Sequence, residues 1–408
     1  ANMWKNPEKT GDNAYGYNFA SSSYNIHAED HGTHVAGTIS AVNNNGKGVC
    51  GVAGGNSKKG VKGAKLMSCQ IFDGEKQGSA TEAIKWSADH GAVISQNSWG
   101  YTEVTTAPSS LKSAVDYFIK NAGCDKNGKQ RSDSPMKGGI VIFAAGNDSK
   151  NTSSSDYDGM VSVTSVGADY KRAYYTNYGS WCDVAAPGGD VKKGNQVLST
   201  LPGNKYGKMQ GTSMACPHVS GVAALGLSYM KKLGKTCTKD EFKSMLLTSV
   251  NDMNAQCLGI KQTCLYAANY AIGPLSLSKY RGKMGTGSID AWKFLMNIEG
   301  TPCLTAVVGL EQAVSLESIF GGSYSSLKYL GVDISDEDYR ALDLAAMPEI
   351  KAGRLVICPK KSGNVKITIN AVAGGQTPGN GENMGGLTIS KTVSLVARGV
   401  SSENGGWL

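Results

Sequence analysis

The apolar positions of this chain keep two rhythms. Short apolar runs that end in small residues, at 61–72, 92–100, 139–147 and 160–166, read as buried strands. Between them, residues 80–90 and 111–122 carry apolar side chains at helical spacing, as do residues 30–41 ahead of the Asn-Asn-Asn-Gly stop at 43–46. Strands and helices alternating at this spacing need right-handed crossovers, which predicts an α/β fold with a parallel sheet covered by helices on both faces. Ligands bind such a sheet at the carboxyl ends of its strands, and Ser98, Trp99, Gly100 and Asn147 stand at those ends. Residues 1–30 are polar and aromatic, show no strand alternation, and read as a surface loop. After residue 297 the helical spacing disappears. Short alternating runs at 314–319, 354–358, 364–371 and 388–396, punctuated by glycine and asparagine, predict a small antiparallel β-sandwich. The pattern divides the chain into residues 1–297 and 298–408, the second unit being either a cover for the first or an accessory binding module.

The residues that can carry chemistry lie at the seams of this pattern. In 211–221, GTSMACPHVSG, Ser213 precedes the apolar run 222–230, which propagates as a buried helix. Gly211 lets the backbone turn sharply, and the unpaired N–H groups of a helix start suit a developing oxyanion. Standing alone, the stretch reads as an ordinary helix cap. His31 falls at the start of the 30–41 helix, where an imidazole held in one tautomer by a partner still reaches a nucleophile. His31 and His34, with His27 and Asp30 nearby, also admit a metal reading, but the general base of the HExxH signature is absent, and His34 reads as a structural histidine. Asn147 follows Ala-Ala-Gly and by itself is a turn residue. Beside a serine nucleophile, its amide can donate to a tetrahedral oxyanion opposite the Ser213 N–H.

Composition narrows the classes. With 408 residues, 40% of them hydrophobic, and 53 glycines, the chain has material for a large core and many tight turns. The formal charge of +8 is spread without a basic block, which gives no support to a nucleic-acid groove or a polybasic membrane patch. No apolar run reaches the roughly 18 residues needed to span a bilayer. Ten cysteines are too sparse for a disulfide scaffold and none is paired at zinc spacing. Cys257 and Cys264 close a short loop and form the candidate disulfide, while Cys50 and Cys216 lie among small apolar residues and read as buried thiols. The sequence opens at Ala1 with neither an initiator methionine nor a signal peptide, which reads as a processed or trimmed product.

His31, Asn147 and Ser213 occur in this order, each inside a motif: HGTHVAGT at 31–38, SWG at 98–100, AAGN at 144–147 and GTSMACPHV at 211–219. NYG at 177–179 and AAPG at 185–188 stand between them. Over residues 10–297 the chain resembles the subtilisin-like serine proteases, the subtilases. The resemblance implies a subtilisin-like parallel sheet and a peptide hydrolase. Ser213 would attack the scissile carbonyl, His31 would take and return the proton, and Asn147 with the Ser213 N–H would hold the oxyanion. Ser98, Trp99 and Gly100 would pair with the substrate backbone as an added strand, with Ala145 and Gly146 beside the same cleft. Asp148, with Asp156 and Asp158, would border the pocket for the residue before the cut bond and favour Lys or Arg there, unless these are turn carboxylates facing water. The implied partners are polypeptide substrates. Calcium is a family cofactor without an assignable ligand loop here, and the expected location is secreted, periplasmic or cell-surface.

One family feature has no match. In subtilases the aspartate that orients the histidine ends a strand well ahead of it, in an Asp-Thr/Ser-Gly type sequence. Asp12 is followed by Asn-Ala-Tyr and Asp30 is the immediate neighbour of His31, so no aspartate is assigned. That strand lies in the middle of the family's sheet, and its absence would leave two unpaired edges and an open slot. A cleaved N-terminal fragment, a swapped strand or a reorganised sheet would fill it. Loss of the aspartate lowers turnover by about 10⁴, so the chain is expected to be impaired as it stands. The alternative is a catalytically silent homologue that keeps the peptide groove.

Overall fold

The computed structural model describes residues 2–9, 14–101, 104–253, 257, 259–264, 272–321, 324–325, 327–373 and 387–399. They belong to two compact units, one built on residues 1–294 and the other on 295–402. In chain order the first unit contains β1 (Gly16–Asn18), α1 (Asp30–Ser40), β2 (Ser68–Gln70), α2 (Ala80–Asp89), β3 (Ile94–Asn97), α3 (Ser109–Asn121), β4 (Ile140–Ala144), β5 (Met160–Val166) and β6 (Val184–Pro187). The hairpin β7 (Val197–Leu201) and β8 (Lys205–Met209) follows, then α4 (Thr212–Lys232), α5 (Lys239–Thr248), β9 (Val250–Asn251) and β10 (Ser288–Ile289).

The main sheet has six strands in the order β9-β10-β6-β5-β4-β3, parallel except for β9 at its edge. Every residue of β4 and β5 is buried, as a parallel strand covered on both faces requires. On one face Leu111, Val115 and Phe118 of α3 and Ile84 of α2 pack on Val141, Phe143 and Met160. Alternate residues Ile140, Ile142 and Ala144 point to the opposite face, which α4 crosses in contact with β3, β4, β5 and β6. The expected helix-covered parallel sheet is therefore present.

Local readings needed correction where short or polar pieces were involved. Residues 16–18 are a strand, not loop: Gly16, Tyr17 and Asn18 pair in parallel with Ser68, Cys69 and Gln70. Three residues are too few to display a period of two, and rings hold this piece in place, Tyr17 and Phe19 packing on Trp86. The apolar run 61–72 yields only short strands, Val61–Lys62, Ser68–Gln70 and Phe72–Asp73. Cys257 is a free thiol buried among Met253, Leu277, Tyr280 and Met284, not bridged to Cys264, and Cys50 is exposed in a glycine-rich turn.

The chain passes from β2 through α2 to β3, yet among the described residues β2 pairs only with β1 and β3 only with β4. A cavity of about 640 Å³ lies between β2 and β3.

The second unit contains β11 (Cys303–Val307), β12 (Gln312–Ser315), β13 (Lys328–Asp333), β14 (Glu349–Lys351), β15 (Arg354–Ile357), β16 (Gly363–Ala373) and β17 (Leu387–Arg398). They form a four-stranded sheet, β11-β17-β16-β13, and a three-stranded one, β12-β15-β14. Leu304, Leu355, Ile357, Val365, Ile367, Ile369, Val393 and Leu395 share one core, so the two sheets face each other as a sandwich. Its first and last strands, β11 and β17, pair in parallel, so the sandwich is mixed where a purely antiparallel one was expected.

Candidate active site

The start of α4 is shaped by its glycine and its proline. Gly211 takes φ +148° just ahead of the helix, a conformation side chains disfavour, and places Ser213 in the first turn. Ser98 Oγ donates to the Ser213 carbonyl at 2.8 Å, and Ser213 Oγ donates to the Ser98 carbonyl at 3.3 Å. The first bond has a cause in the sequence. Pro217, four residues along the helix, has no N–H to offer that carbonyl, so the hydroxyl takes the vacant position. Gln96 Nε2 in turn donates to Ser98 Oγ at 2.6 Å and to Cys216 Sγ at 3.4 Å. The carboxyl end of β3 is thus tied to the nucleophile candidate. Burial pushes the Cys216 thiol up to about 11, so it remains protonated and is no rival nucleophile.

Asn147 follows β4 and faces the same helix start. Its Oδ1 accepts from both the backbone N–H and the Oγ1 of Thr212, each at 2.9 Å. Thr212 Oγ1 also accepts from the Gly146 N–H at 3.1 Å. With its oxygen engaged, the amide presents Nδ2, which has no partner among the described residues. A methyl group placed on Gly211 would lie 3.6 Å from Asn147 Nδ2 and 3.6 Å from the Ser213 backbone nitrogen. Both nitrogens thus lie at one distance from a point beside the helix start, with Asn147 Oδ1 at 3.8 Å from it.

Asn177 holds the loop that carries Asn147. Its Oδ1 accepts from the backbones of Asp148 and Lys150, and its own N–H bonds the Gly146 carbonyl. Gly146, at φ +102°, cannot carry a side chain there, since a Cβ would come within 2.4 Å of Asn177 Nδ2. Ala145 is fully buried with its N–H bonded to Val163, so of the AAGN motif Gly146 and Asn147 reach the surface. Sequence reasoning gave Thr212 and Asn177 no role of their own. Their only signal was position inside or between the motifs.

His31 is the second residue of α1. Val35 and Ile39 of the same helix pack with Met214, the residue after Ser213, and with Val197 of β7. His31 sits one turn before Val35 and so lies on the face turned toward the start of α4. It is exposed on one side and on the other lines the wall of the 640 Å³ cavity, which Ser98 also lines. The protein around it lowers its pKa below the ordinary histidine value by removing solvent, which keeps it a neutral base at pH 7. It has no hydrogen bond to Ser213 and no carboxylate partner among the described residues.

The other histidines are occupied elsewhere. His34 is fully buried with Nε2 directed at the Val197 and Gly207 carbonyls, a structural role. His27 pairs with Asp73 at 2.9 Å, which also accepts from Asn18. Among the described residues no three His, Cys, Asp or Glu side chains gather as a metal site.

Trp99 packs edge-on against Phe143 and Tyr101 while its Nε1 donates to Asn97 Oδ1 at 3.1 Å, which leaves Gly100 exposed beside it. A second cavity of about 170 Å³ is lined there by Phe72, Thr81, Trp99, Gly100 and Tyr101. Asp148 is exposed, and burial together with the nearby Asp158 raises the pKa of Asp156.

The model of the subtilase family matches residues 2–265, more than half of the chain. The chain belongs to the subtilase family. This subtilase is 34% identical over 235 residues to an extracellular basic protease of Dichelobacter nodosus, covering 55% of this chain and 36% of that protein. It is 33% identical over 226 residues to a thermophilic serine proteinase of Bacillus sp. strain AK1, covering 54% of this chain and 49% of that protein. The chain thus spans half or less of the length of these relatives. Among solved structures it is similar to a protease of Pseudoalteromonas arctica, 31% identical, with 67% of this chain and 73% of the other covered and a TM-score of 0.48. No helix of the described residues in this subtilase is long and apolar enough to cross a membrane.

Proposed function

We propose that this subtilase is an exported serine endopeptidase in which Ser213 is the nucleophile, His31 the base and Asn147 an oxyanion donor. The observation that supports the reading is that Asn147 Nδ2 and the Ser213 backbone nitrogen lie at the same distance, 3.6 Å, from one point beside Gly211. For attack, Ser213 Oγ leaves the Ser98 carbonyl and gives its proton to neutral His31. The carbonyl oxygen of the substrate gathers charge between the two donors, and His31 then returns the proton to the leaving amine. The substrate backbone lies along residues 98–100, where Gly100 leaves room for an added strand. Asp148, with Asp156 and Asp158 on the following segment, favours a basic residue before the cut bond.

Among the described residues no carboxylate orients His31, which makes them by themselves a weak catalyst. The carboxylate arrives on a separate polypeptide segment, an N-terminal fragment of the same gene product being the simplest source. The missing His31 contacts also favour a second reading, a silent homologue that binds peptides without cutting them. Hydrolysis of a quenched fluorogenic peptide separates the two. The peptidase reading expects turnover that both Ser213→Ala and His31→Ala abolish. Turnover that survives Ser213→Ala overturns it.

A further inference from the structure

We infer that Arg172 is a positioning residue for Asn147, its buried guanidinium clamping the backbone turn after the proposed oxyanion donor to the segment behind it.

The turn after Asn147 is not one that its own sequence favours. Gly146 stands at φ +102° and Ser149 at φ +53°, and a serine in the left-handed region costs free energy that a glycine would not. Tertiary bonds must therefore hold the turn. The Ser149 N–H donates to the Tyr175 carbonyl at 2.8 Å and the Tyr178 N–H to the Lys150 carbonyl at 2.9 Å, while Asn177 Oδ1 accepts from Asp148 N and Lys150 N. All of these partners lie in 175–178, so the turn is only as fixed as that segment. Arg172 joins the two. Its Nη2 donates to Ser149 Oγ at 2.7 Å and to the Thr176 carbonyl at 2.7 Å, and its Nη1 donates to the Tyr174 carbonyl at 3.2 Å.

Arg172 is 1% exposed, and its guanidinium lies 4.2 Å from the centre of the Tyr280 ring and 5.2 Å from that of Tyr178. The two rings meet edge to face at 4.7 Å. Taking a charge out of water is expensive, and well-packed apolar side chains often replace buried charges without loss of stability. Filling space beside aromatic rings therefore does not explain an arginine. Its planar fork does, because donors at fixed angles reach the hydroxyl of the turn and two carbonyls of the segment behind it at once. A lysine ammonium, a point charge on a flexible stem, does not hold that geometry. Asn147 is thus fixed from two directions. Thr212 holds its Oδ1 from the helix start, and Arg172 holds its backbone through Ser149, two residues further on. The clamp stands on these bonds alone, whereas its part in turnover rests on the reading of Asn147 as the oxyanion donor.

Ser149→Ala in the full chain removes the hydroxyl that Arg172 grips and leaves Asn147 and the helix start in place. Amide hydrogen exchange at Asp148 and Lys150 is expected to become about tenfold faster. Unchanged exchange at these two amides overturns the clamp. In hydrolysis of an activated peptide ester, kcat is expected to fall about tenfold with KM within about twofold. A bond that only supports the fold would lower kcat by the same factor with or without the Asn147 amide. In the Asn147→Ala chain, adding Ser149→Ala is therefore expected to change kcat by less than about twofold, and equal losses in both backgrounds overturn the positioning role. Ser149→Gly relieves the left-handed strain but also lacks the hydroxyl, and is expected to lose turnover as Ser149→Ala does. Turnover that glycine restores traces the loss to strain and overturns the clamp. Arg172→Lys keeps the charge and is expected to lower kcat at least as far as Ser149→Ala; full turnover in a folded Arg172→Lys chain also overturns the proposal. Asn147→Ala with undiminished kcat overturns the donor reading and the positioning role together, while the exchange measurement still decides the clamp.

Discussion

Thr212→Val tests whether Asn147, the proposed oxyanion donor, is held by its neighbour. The substitution keeps the shape of a fully buried side chain but removes the hydroxyl that donates to Asn147 Oδ1 at 2.9 Å and accepts from Gly146 N at 3.1 Å. The lost donor contributes about 1 kcal/mol, and the half-buried Gly146 N–H left without an acceptor costs about 1 kcal/mol more, so urea unfolding should show a loss of about 2 kcal/mol. Asn147 keeps its bond from the Thr212 N–H, so its amide is loosened and not lost. Turnover should then fall about tenfold, equivalent to about 1.4 kcal/mol, with KM unchanged. Asn147→Ala removes the donor itself and should lower turnover by about 10² to 10³. Because Thr212 acts through Asn147, the double variant should match Asn147→Ala within about twofold. Steady-state hydrolysis of an activated peptide ester keeps these rates measurable. Effects that multiply, or a Thr212→Val effect on KM alone, would refute the coupling.

Three further outcomes follow from the same contacts. Gly211→Ala forces a side chain into φ +148° and sets its methyl 3.6 Å from both proposed donors, Asn147 Nδ2 and the Ser213 backbone nitrogen. Turnover should drop by more than about tenfold, beyond a stability loss of about 1–3 kcal/mol on urea unfolding; unchanged turnover would show that the oxyanion does not sit there. Ser98→Ala leaves the Ser213 carbonyl without a partner because Pro217 has no N–H, and should cost about 1–2 kcal/mol. Adding Pro217→Ala restores an N–H, so the Ser98→Ala penalty measured by urea unfolding should shrink in that background. Finally, burial holds His218 down to about 4, so it stays neutral when folded and gains a proton when unfolded. The native state is therefore favoured above the unfolded pKa near 6.5, and this contribution is lost as pH falls from about 6.5 to 4. It amounts to about 3 kcal/mol. His218→Gln should flatten the acid side of the stability curve over that window.

The parallel sheet was legible because β4 and β5 are buried along their whole length, and such strands appear in a sequence as unbroken apolar runs between helical patterns. The candidates Ser213, His31 and Asn147 were named from motifs, and the turn at Gly211 was legible through the backbone freedom of glycine. Thr212 and Asn177 were not, since their work is done through hydrogen bonds to residues 27 to 66 positions away. No local pattern records such bonds. The strand at 16–18 escaped because it is three residues of polar and aromatic side chains held by Trp86. The parallel pairing of β11 with β17 joins the two ends of the second unit and leaves no trace in either strand.

Labelling with a fluorophosphonate, which phosphonylates activated serines, tests the assignment of Ser213 most directly. Intact mass followed by peptide mapping should show one adduct per chain, on Ser213, formed more slowly in Asn147→Ala and absent in Ser213→Ala. An adduct on another residue, or none on Ser213, would contradict the peptidase reading.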